Sequence, residues 1–271
     1  MKIIKASGDE TNFNERKIEK SVMKAGAPKK LALEVAKNVR KKVHEGTTTN
    51  DILNLTIKSL VKDKEIAARY DLKRAIMSLG PSGFPFEEFF SQVLRNHGYK
   101  ATTNNYIRGK VVMQEVDIVA RKNKVSMIET KYHNKKGIRT DTKVAMYTYA
   151  RFLDIKSNPK YKFNEVWLVT NTRCTSQAKK YSKGVGLRVI GWSYPKNGNL
   201  QELIESKYLY PITIFKSISE STKEKLFKAK IVLAKDLADH SVEELSRKTG
   251  LDKKTLAKIL EDAKRICYNK R

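Results

Sequence analysis

Residues 115–131 read EVDIVARKNKVSMIETK. Two apolar runs flank the polar break Arg121-Lys-Asn-Lys124, so the pattern predicts neighbouring strands over 110–120 and 124–131, joined by a tight turn. Side chains alternate across a strand, which puts Glu129 and Lys131 on one face roughly 7 Å apart, and sets Asp117 on a face with Glu115. If the two strands form a hairpin, Asp117 and Glu129 meet at one end and can offer oxygens to a single divalent ion. Mg²⁺ suits such a place, because it takes one or two protein carboxylates and fills its remaining positions with water or phosphate. Lys131 would then stand beside the attacking water and the charge that develops on phosphorus. An acid-x-Lys pair on a strand also reads as a solvated face with a weak ion pair. Asp117, twelve residues before Glu129, and Glu87 in a nearby helix favour the metal reading.

Outward from this stretch the pattern alternates helix and strand. Residues 86–94 place Phe86, Phe90, Val93 and Leu94 on one helical face, and Gly98 closes the helix. After the hairpin come a helix over 142–153, a buried strand over 165–170, a helix over 176–183 and a strand over 187–192. The expectation is an α/β fold: a sheet with helices packed on it.

The 271 residues carry 56 Lys and Arg against 29 Asp and Glu, a formal charge of +27. Such a field attracts polyanions, and nucleic acid is the leading partner. A basic membrane face or plain solubility are the other readings of it. No apolar segment follows Met1 and no run approaches the roughly 18 apolar residues of a membrane span, so a cytoplasmic protein without membrane contact is expected. Cys174 and Cys267 lie far apart with no CxxC or Cys/His cluster, which argues against a disulfide framework or a zinc site.

Two prolines and two glycines within residues 79–85 mark a linker, and a softer boundary falls near residue 210. Three domains are expected, over 1–80, 84–212 and 218–271. The segment 81–217 has 24 basic and 10 acidic residues, a difference of +14, and is the most basic of the three. Half of those acids, Glu87, Glu88, Glu115, Asp117 and Glu129, fall within its first 49 positions.

Residues 84–195 resemble the PD-(D/E)XK nuclease superfamily, nearest to type IV restriction endonucleases of the Mrr kind. The likeness rests on Phe86-Glu87 and Leu94 in the entry helix with Gly98-Tyr99 after it, Val116-Asp117-Ile118-Val119-Ala120, and Ile128-Glu129-Thr130-Lys131. Leu168-Val-Thr-Asn171, Thr175, Ala178 and Leu187-Arg-Val-Ile190 extend it, with Cys174 where an aromatic is usual. The resemblance implies a mixed sheet flanked by helices and a Mg²⁺-dependent endodeoxyribonuclease acting on double-stranded DNA. It also implies that Asp117 and Glu129 bind the metal, that Glu87 completes or orients its shell, and that Lys131 assists the water. Glu88 is the second choice for the helix acid. His133 reads as a phosphate contact or a surface residue more readily than as a base.

Residues 3–18 read as a short strand, a turn at Gly8 and a helix capped by Asn14, and a helix start beside two lysines is a candidate anion site. This region resembles an ATP-cone, a small α+β nucleotide-sensing module, through Ile3, Lys5, Gly8, Phe13, Lys17 and Ile18. Thr47-Thr-Thr-Asn-Asp51 and Ala67-Ala68-Arg69-Tyr70 with Arg74 carry the likeness through nearly all of 1–80. It implies that Lys5, Asn14, Lys17 and Thr49 hold phosphates and ribose, and that Ile3 and Ile18 flank the base. Ala6 and Ser7 replace an Arg and an acid of the family pattern. No Walker A sequence is present, so ATP or dATP would be a regulatory ligand rather than fuel.

The last segment reads as a small all-α tail, with Leu245-Ser-Arg-Lys-Thr-Gly250-Leu251 forming a helix, a turn and a restart at Asp252. It fits a helix-hairpin-helix or helix-turn-helix unit contacting DNA backbone, or a packing or dimerisation bundle. The whole reads as a nucleotide-regulated, restriction-type DNA endonuclease forming a homo-oligomer. A junction- or repair-type resolvase on the same core, or a nucleotide-gated DNA-binding regulator with an inactive nuclease fold, are the alternatives.

Overall fold

A computed structural model describes residues 1–135 and 137–268; residues 269–271, the end of the segment expected as a third domain, lie outside the described residues. β1 (Lys2–Ile4) and β2 (Glu10–Asn12) pair antiparallel about a turn at Gly8, whose φ of 86° lies in the left-handed region that favours glycine. There follow α1 (Glu15–Lys24), α2 (Lys29–Arg40), α3 (Thr49–Ser59), α4 (Lys64–Tyr70) and α5 (Leu72–Met77). Asn14 starts α1 by accepting the Lys17 N–H, and Thr48 and Asp51 form a reciprocal capping box on α3. Ile3, Ile18, Val22, Val35, Val39 and Leu60 close this unit's own core.

α6 (Phe84–Asn96) begins two residues earlier than the sequence pattern indicates. Pro85 explains the difference: a helix's first turn has no intrahelical partner for its N–H groups, so a residue lacking one fits there. Three antiparallel strands follow, β3 (Lys100–Arg108), β4 (Met113–Arg121) and β5 (Val125–Lys131). Next come β6 (Arg139–Thr140), α7 (Thr142–Lys156), β7 (Glu165–Thr170), β8 (Arg173–Cys174), α8 (Ser176–Val185), β9 (Arg188–Ile190) and α9 (Leu200–Glu205). The main sheet has the order β3-β4-β5-β7-β9, with β5, β7 and β9 parallel, so the fold is a mixed α/β sheet covered on both faces.

One face buries Ile118, Ala120, Ile128, Trp167 and Val169 under α6, whose Phe86, Phe89 and Phe90 are fully buried. Each phenylalanine taken from water contributes about 2–3 kcal/mol. The other face buries Val119, Met127 and Leu168 under α7 and α8 through Ala145, Phe152 and Ala178. Helices α10 (Glu220–Lys228), α11 (Ala234–Asp239), α12 (Val242–Thr249) and α13 (Lys253–Tyr268) follow. Leu226, Leu233, Leu237 and Leu256 of this tail belong to the same hydrophobic cluster as α6 and the sheet, and so do Leu72, Ala75 and Ile76 of α5. Both cysteines are free and buried.

Alternation along β4 slips once. Val116 and Val119, three residues apart, both lie in the core under α7, whereas Ile118 and Ala120 lie in the other. Asp117 stands at the slip. Across from it Asn104 on β3 has a left-handed φ of 55° and drops out of the paired register, while the Asn105 side chain donates to the Val116 carbonyl at 3.2 Å.

Candidate active site

The β4–β5 ladder runs from Arg121↔Val125 to Ile118↔Ile128 and ends there. At the next step of that register stand Asp117 and Glu129, where the strands part. The Thr130 amide that the ladder no longer pairs donates to Asp117 Oδ2 at 2.7 Å, and the Thr130 hydroxyl donates to the same oxygen at 3.0 Å. Glu129 Oε2 accepts from Arg151 Nη1 at 2.5 Å. Each acid is thus aimed through one oxygen, and its second oxygen has no hydrogen bond among the described residues.

Arg151 comes from α7, and sequence reading missed it. Its side chain is only 10% exposed, its Nε–H donates to Gln114 Oε1 at 3.2 Å, and its guanidinium lies over the Tyr147 ring. The one sequence signal for it is the Tyr147-x-x-x-Arg151 spacing, which stacks the two on a helix face.

Glu87 lies in the first turn of α6, with Oε1 3.3 Å from where a Cβ on Gly83 would stand. Burial, then the charges of Asp117 and Glu115, raise its pKa to about 7. Burial and the charges of Asp117 and Glu87, against the opposing Arg151, raise Glu129 to about 7 as well. Asp117 is raised by burial, with the Thr130 hydrogen bonds holding it back. Glu87, Glu115, Asp117 and Glu129 therefore share one field although they come from three elements. Glu88 is elsewhere: fully buried, it pairs with Arg95 at 3.3 Å and accepts from Thr103 and Gln92.

Lys131 is exposed at the end of β5, in register with Thr170. His133, two residues on, is held by Asn171 through its backbone and contacts Thr140 Oγ1 through Nε2 at 3.1 Å. Burial and then Lys131 lower its pKa.

Among the described residues no three or more His, Cys, Asp or Glu side chains are gathered closely enough to hold a metal ion as they stand. The donor chemistry nevertheless fits one. Three hard carboxylates repel one another, and among the described residues the one cation bonded to them is an arginine that uses a single oxygen of Glu129.

In the N-terminal unit Lys5 lies in the β1–β2 turn, its N–H donating to the Asp9 carbonyl at 2.8 Å. Lys17 is exposed in the first turn of α1, and Asn14 is that helix's cap. Thr49 is the first residue of α3, which is tied to β1 by the Ile4↔Thr48 bridge. These four are thereby brought to elements that meet at β1. Ile3 and Ile18 are packed inside the unit's core.

This unit touches the carboxylate strand's exit. Tyr132 donates its hydroxyl to the Met77 carbonyl at 2.6 Å. Gly137, at φ 84°, lies so close to Ala6 that an added Cβ would stand 2.7 Å from its carbonyl oxygen. Arg139 reaches Asp9 at 3.7 Å. Ala6 and Ser7, the two departures from the cone pattern, thus lie where the loop after β5 docks.

A mixed sheet whose central strands part at paired acids, preceded by a small α/β unit with a capped helix start, defines a restriction-endonuclease-type domain behind an ATP-cone. Family models agree: one described as an ATP cone domain matches residues 1–77, one described as restriction endonuclease matches 80–195, and one described as AF1548-like, C-terminal, matches 210–267. The chain belongs to the AF1548-like family. An uncharacterized protein of Archaeoglobus fulgidus is 40% identical over 177 residues, covering 65% of this chain and 98% of the relative. The crystal structure of AF1548, a protein of unknown function, superposes with a TM-score of 0.62 at 37% identity, over 70% of this chain and 100% of that one. Can2 from Sulfobacillus thermosulfidooxidans in complex with cyclic tetra-adenylate aligns at 16% identity, over 65% of this chain and 50% of that one, with a TM-score of 0.31.

Proposed function

We propose that this chain is a Mg²⁺-dependent endonuclease that hydrolyses phosphodiester bonds of double-stranded DNA, restriction or defence in type, with ATP or dATP as its regulator. The observation that carries this reading is the parting of β4 and β5 at Asp117 and Glu129, with Glu87 sharing their field and Lys131 at the same strand end. Asp117, Glu129 and Glu87 would hold the ion. When bound, it supplies charge to offset the developing phosphoryl negative charge and makes a water more acidic. Thr130 and Arg151 orient the two strand acids, each through one oxygen. Lys131 donates hydrogen bonds to the attacking water or to a non-bridging phosphate oxygen, stabilising charge as the P–O bond lengthens. The surrounding +14 segment attracts the backbone.

The regulatory half of the proposal rests on the contacts of Tyr132, Gly137 and Arg139 with the N-terminal unit. A nucleotide held by Lys5, Asn14, Lys17 and Thr49 would border the turn that Arg139 and Gly137 touch, and a change there reaches the loop that follows Lys131. Residues 1–80 act as regulator in this scheme and 84–212 as nuclease. The described part of residues 218–271 packs into the nuclease core, and the segment adds cationic surface or an oligomer contact. Linear duplex, supercoiled plasmid and a four-way junction incubated with Mg²⁺, with and without ATP or dATP, test it. Duplex cleavage that shifts with nucleotide supports the proposal. Cleavage of the junction alone indicates a resolvase, and binding of duplex without cleavage under any divalent ion indicates a DNA-binding regulator.

A further inference from the structure

The β3–β4 hairpin reaches beyond the carboxylates and ends in an exposed apolar tip. Val111, Val112 and Met113 are 70%, 50% and 54% exposed, and Tyr106 is 68% exposed. These side chains cannot fold back onto the protein, because the tip's backbone is fixed. Asp154 on α7 accepts the Val111 N–H and the Gln114 amide, both at 2.8 Å, and its carbonyl accepts the Lys110 N–H at 2.9 Å. Asn158 donates to the Arg108 carbonyl at 2.8 Å, and at Gly109 any Cβ would run into the Asp154 carboxylate. One face of the hairpin is therefore clamped on α7 through Ile107 and Gln114. The register Tyr106↔Glu115 and Arg108↔Met113 places those four residues together on the other face. That face leads into the site, since Met113 is four residues from Asp117, about 13 Å along a strand.

A rigid, exposed apolar tip is a contact surface awaiting a partner. Its setting says which kind. Arg108 and Lys110 flank the tip with cations, and the acids of the site lie directly behind it. At this flank a second copy of a chain carrying +27 would set like charge against Arg108 and Lys110, whereas duplex brings the opposite charge. Apolar side chains offer bases no hydrogen bonds; what they can do is enter between base steps from the minor groove, unstacking them and bending the duplex.

We propose that the hairpin tip, through Val111, Val112 and Met113, is a DNA wedge that kinks duplex beside the carboxylates while Arg108 and Lys110 hold flanking phosphates. The proposal rests on the reading of this chain as a DNA-binding nuclease. It makes recognition depend on how easily a step deforms rather than on base-edge contacts.

The test uses the full chain in EDTA, so that cleavage plays no part, with duplexes carrying 2-aminopurine and end-placed fluorophores. Wild-type protein is expected to raise 2-aminopurine fluorescence and to shorten the end-to-end distance. V111S/V112S, with unchanged circular dichroism, is expected to bind with both signals lost. R108A/K110A is expected to bind more weakly and with less salt dependence, yet to restore both signals at saturation. Equal signals from wild type and V111S/V112S overturn the proposal. So does a wild type that sediments as an oligomer which V111S/V112S dissolves with DNA signals unaltered, because the tip would then be a self-interface. A folded wild type that binds no duplex at all removes the nuclease reading itself, a failure distinct from signals that survive the substitution.

Discussion

At the carboxylates, burial and mutual repulsion oppose ionisation, and this sets a pH dependence. Glu87 and Glu129 are both raised from 4.5 to about 7. The native state consequently holds more protons than the unfolded chain between those values, so without metal, stability is expected to fall as pH rises from about 4.5 to about 7. Divalent-ion affinity is expected to move the opposite way, rising as pH passes through about 7, because the ion competes with those protons. Thermal melts and calorimetric Mn²⁺ titrations at pH 6, 7 and 8 measure both; an affinity flat across that range contradicts the shared field. The facing of Asp117 and Glu129 was legible from strand alternation and a short turn. Arg151 was not, since an arginine inside a helical run reads as solvated face, and only β5's position beneath α7 turns it inward.

Among the elements, β5 and β7 ended where their sequences indicated, because runs such as Glu165–Thr170 have no competing pattern. β3 escaped notice. Its alternation of Ala101, Thr103 and Ile107 is broken by Asn104-Asn105, residues that favour turns. That break is structural: Asn104 adopts φ 55° opposite the slip that frees Asp117 from regular pairing. Asparagine and glycine tolerate that conformation, whereas a β-branched residue does not. Asn104→Gly is expected to be nearly neutral and Asn104→Val to cost roughly 1–3 kcal/mol in denaturant unfolding, with weaker metal binding. Equal stability of the two variants would dissociate the slip from Asn104. The slip could not be read from residues 115–131 alone, because it depends on Asn104 of the neighbouring strand.

Over the whole molecule, the linker near residue 80 separates the sequence patterns more cleanly than it separates the packing. α5 and the tail lie in one hydrophobic cluster with α6, so removal of residues 218–271 would take Leu226, Leu233 and Leu237 out of the cluster that holds Phe86, Phe89 and Phe90 and is expected to unfold the nuclease domain. The N-terminal unit also meets the loop after β5 at Gly137 and Arg139. Lys17→Ala is expected to weaken ATP or dATP by about tenfold to a hundredfold, the loss of a charge-assisted contact of roughly 1.5–3 kcal/mol. Arg139→Ala is expected to leave nucleotide affinity near wild type while reducing the nucleotide's effect on cleavage, since an effector acts through its different affinity for two states. Calorimetry beside a cleavage assay separates the two; an unchanged nucleotide response in Arg139→Ala would rule out that path. The central claim, that Asp117, Glu129 and Lys131 cut DNA, is tested most directly by plasmid cleavage with wild type, Asp117→Ala and Lys131→Ala in Mg²⁺ and in EDTA, with duplex affinity measured for each. The account predicts cleavage by wild type in Mg²⁺ alone and similar DNA affinity for all three proteins. Cleavage that survives Asp117→Ala, or a folded, DNA-binding wild type that cuts with no divalent ion supplied, would contradict it.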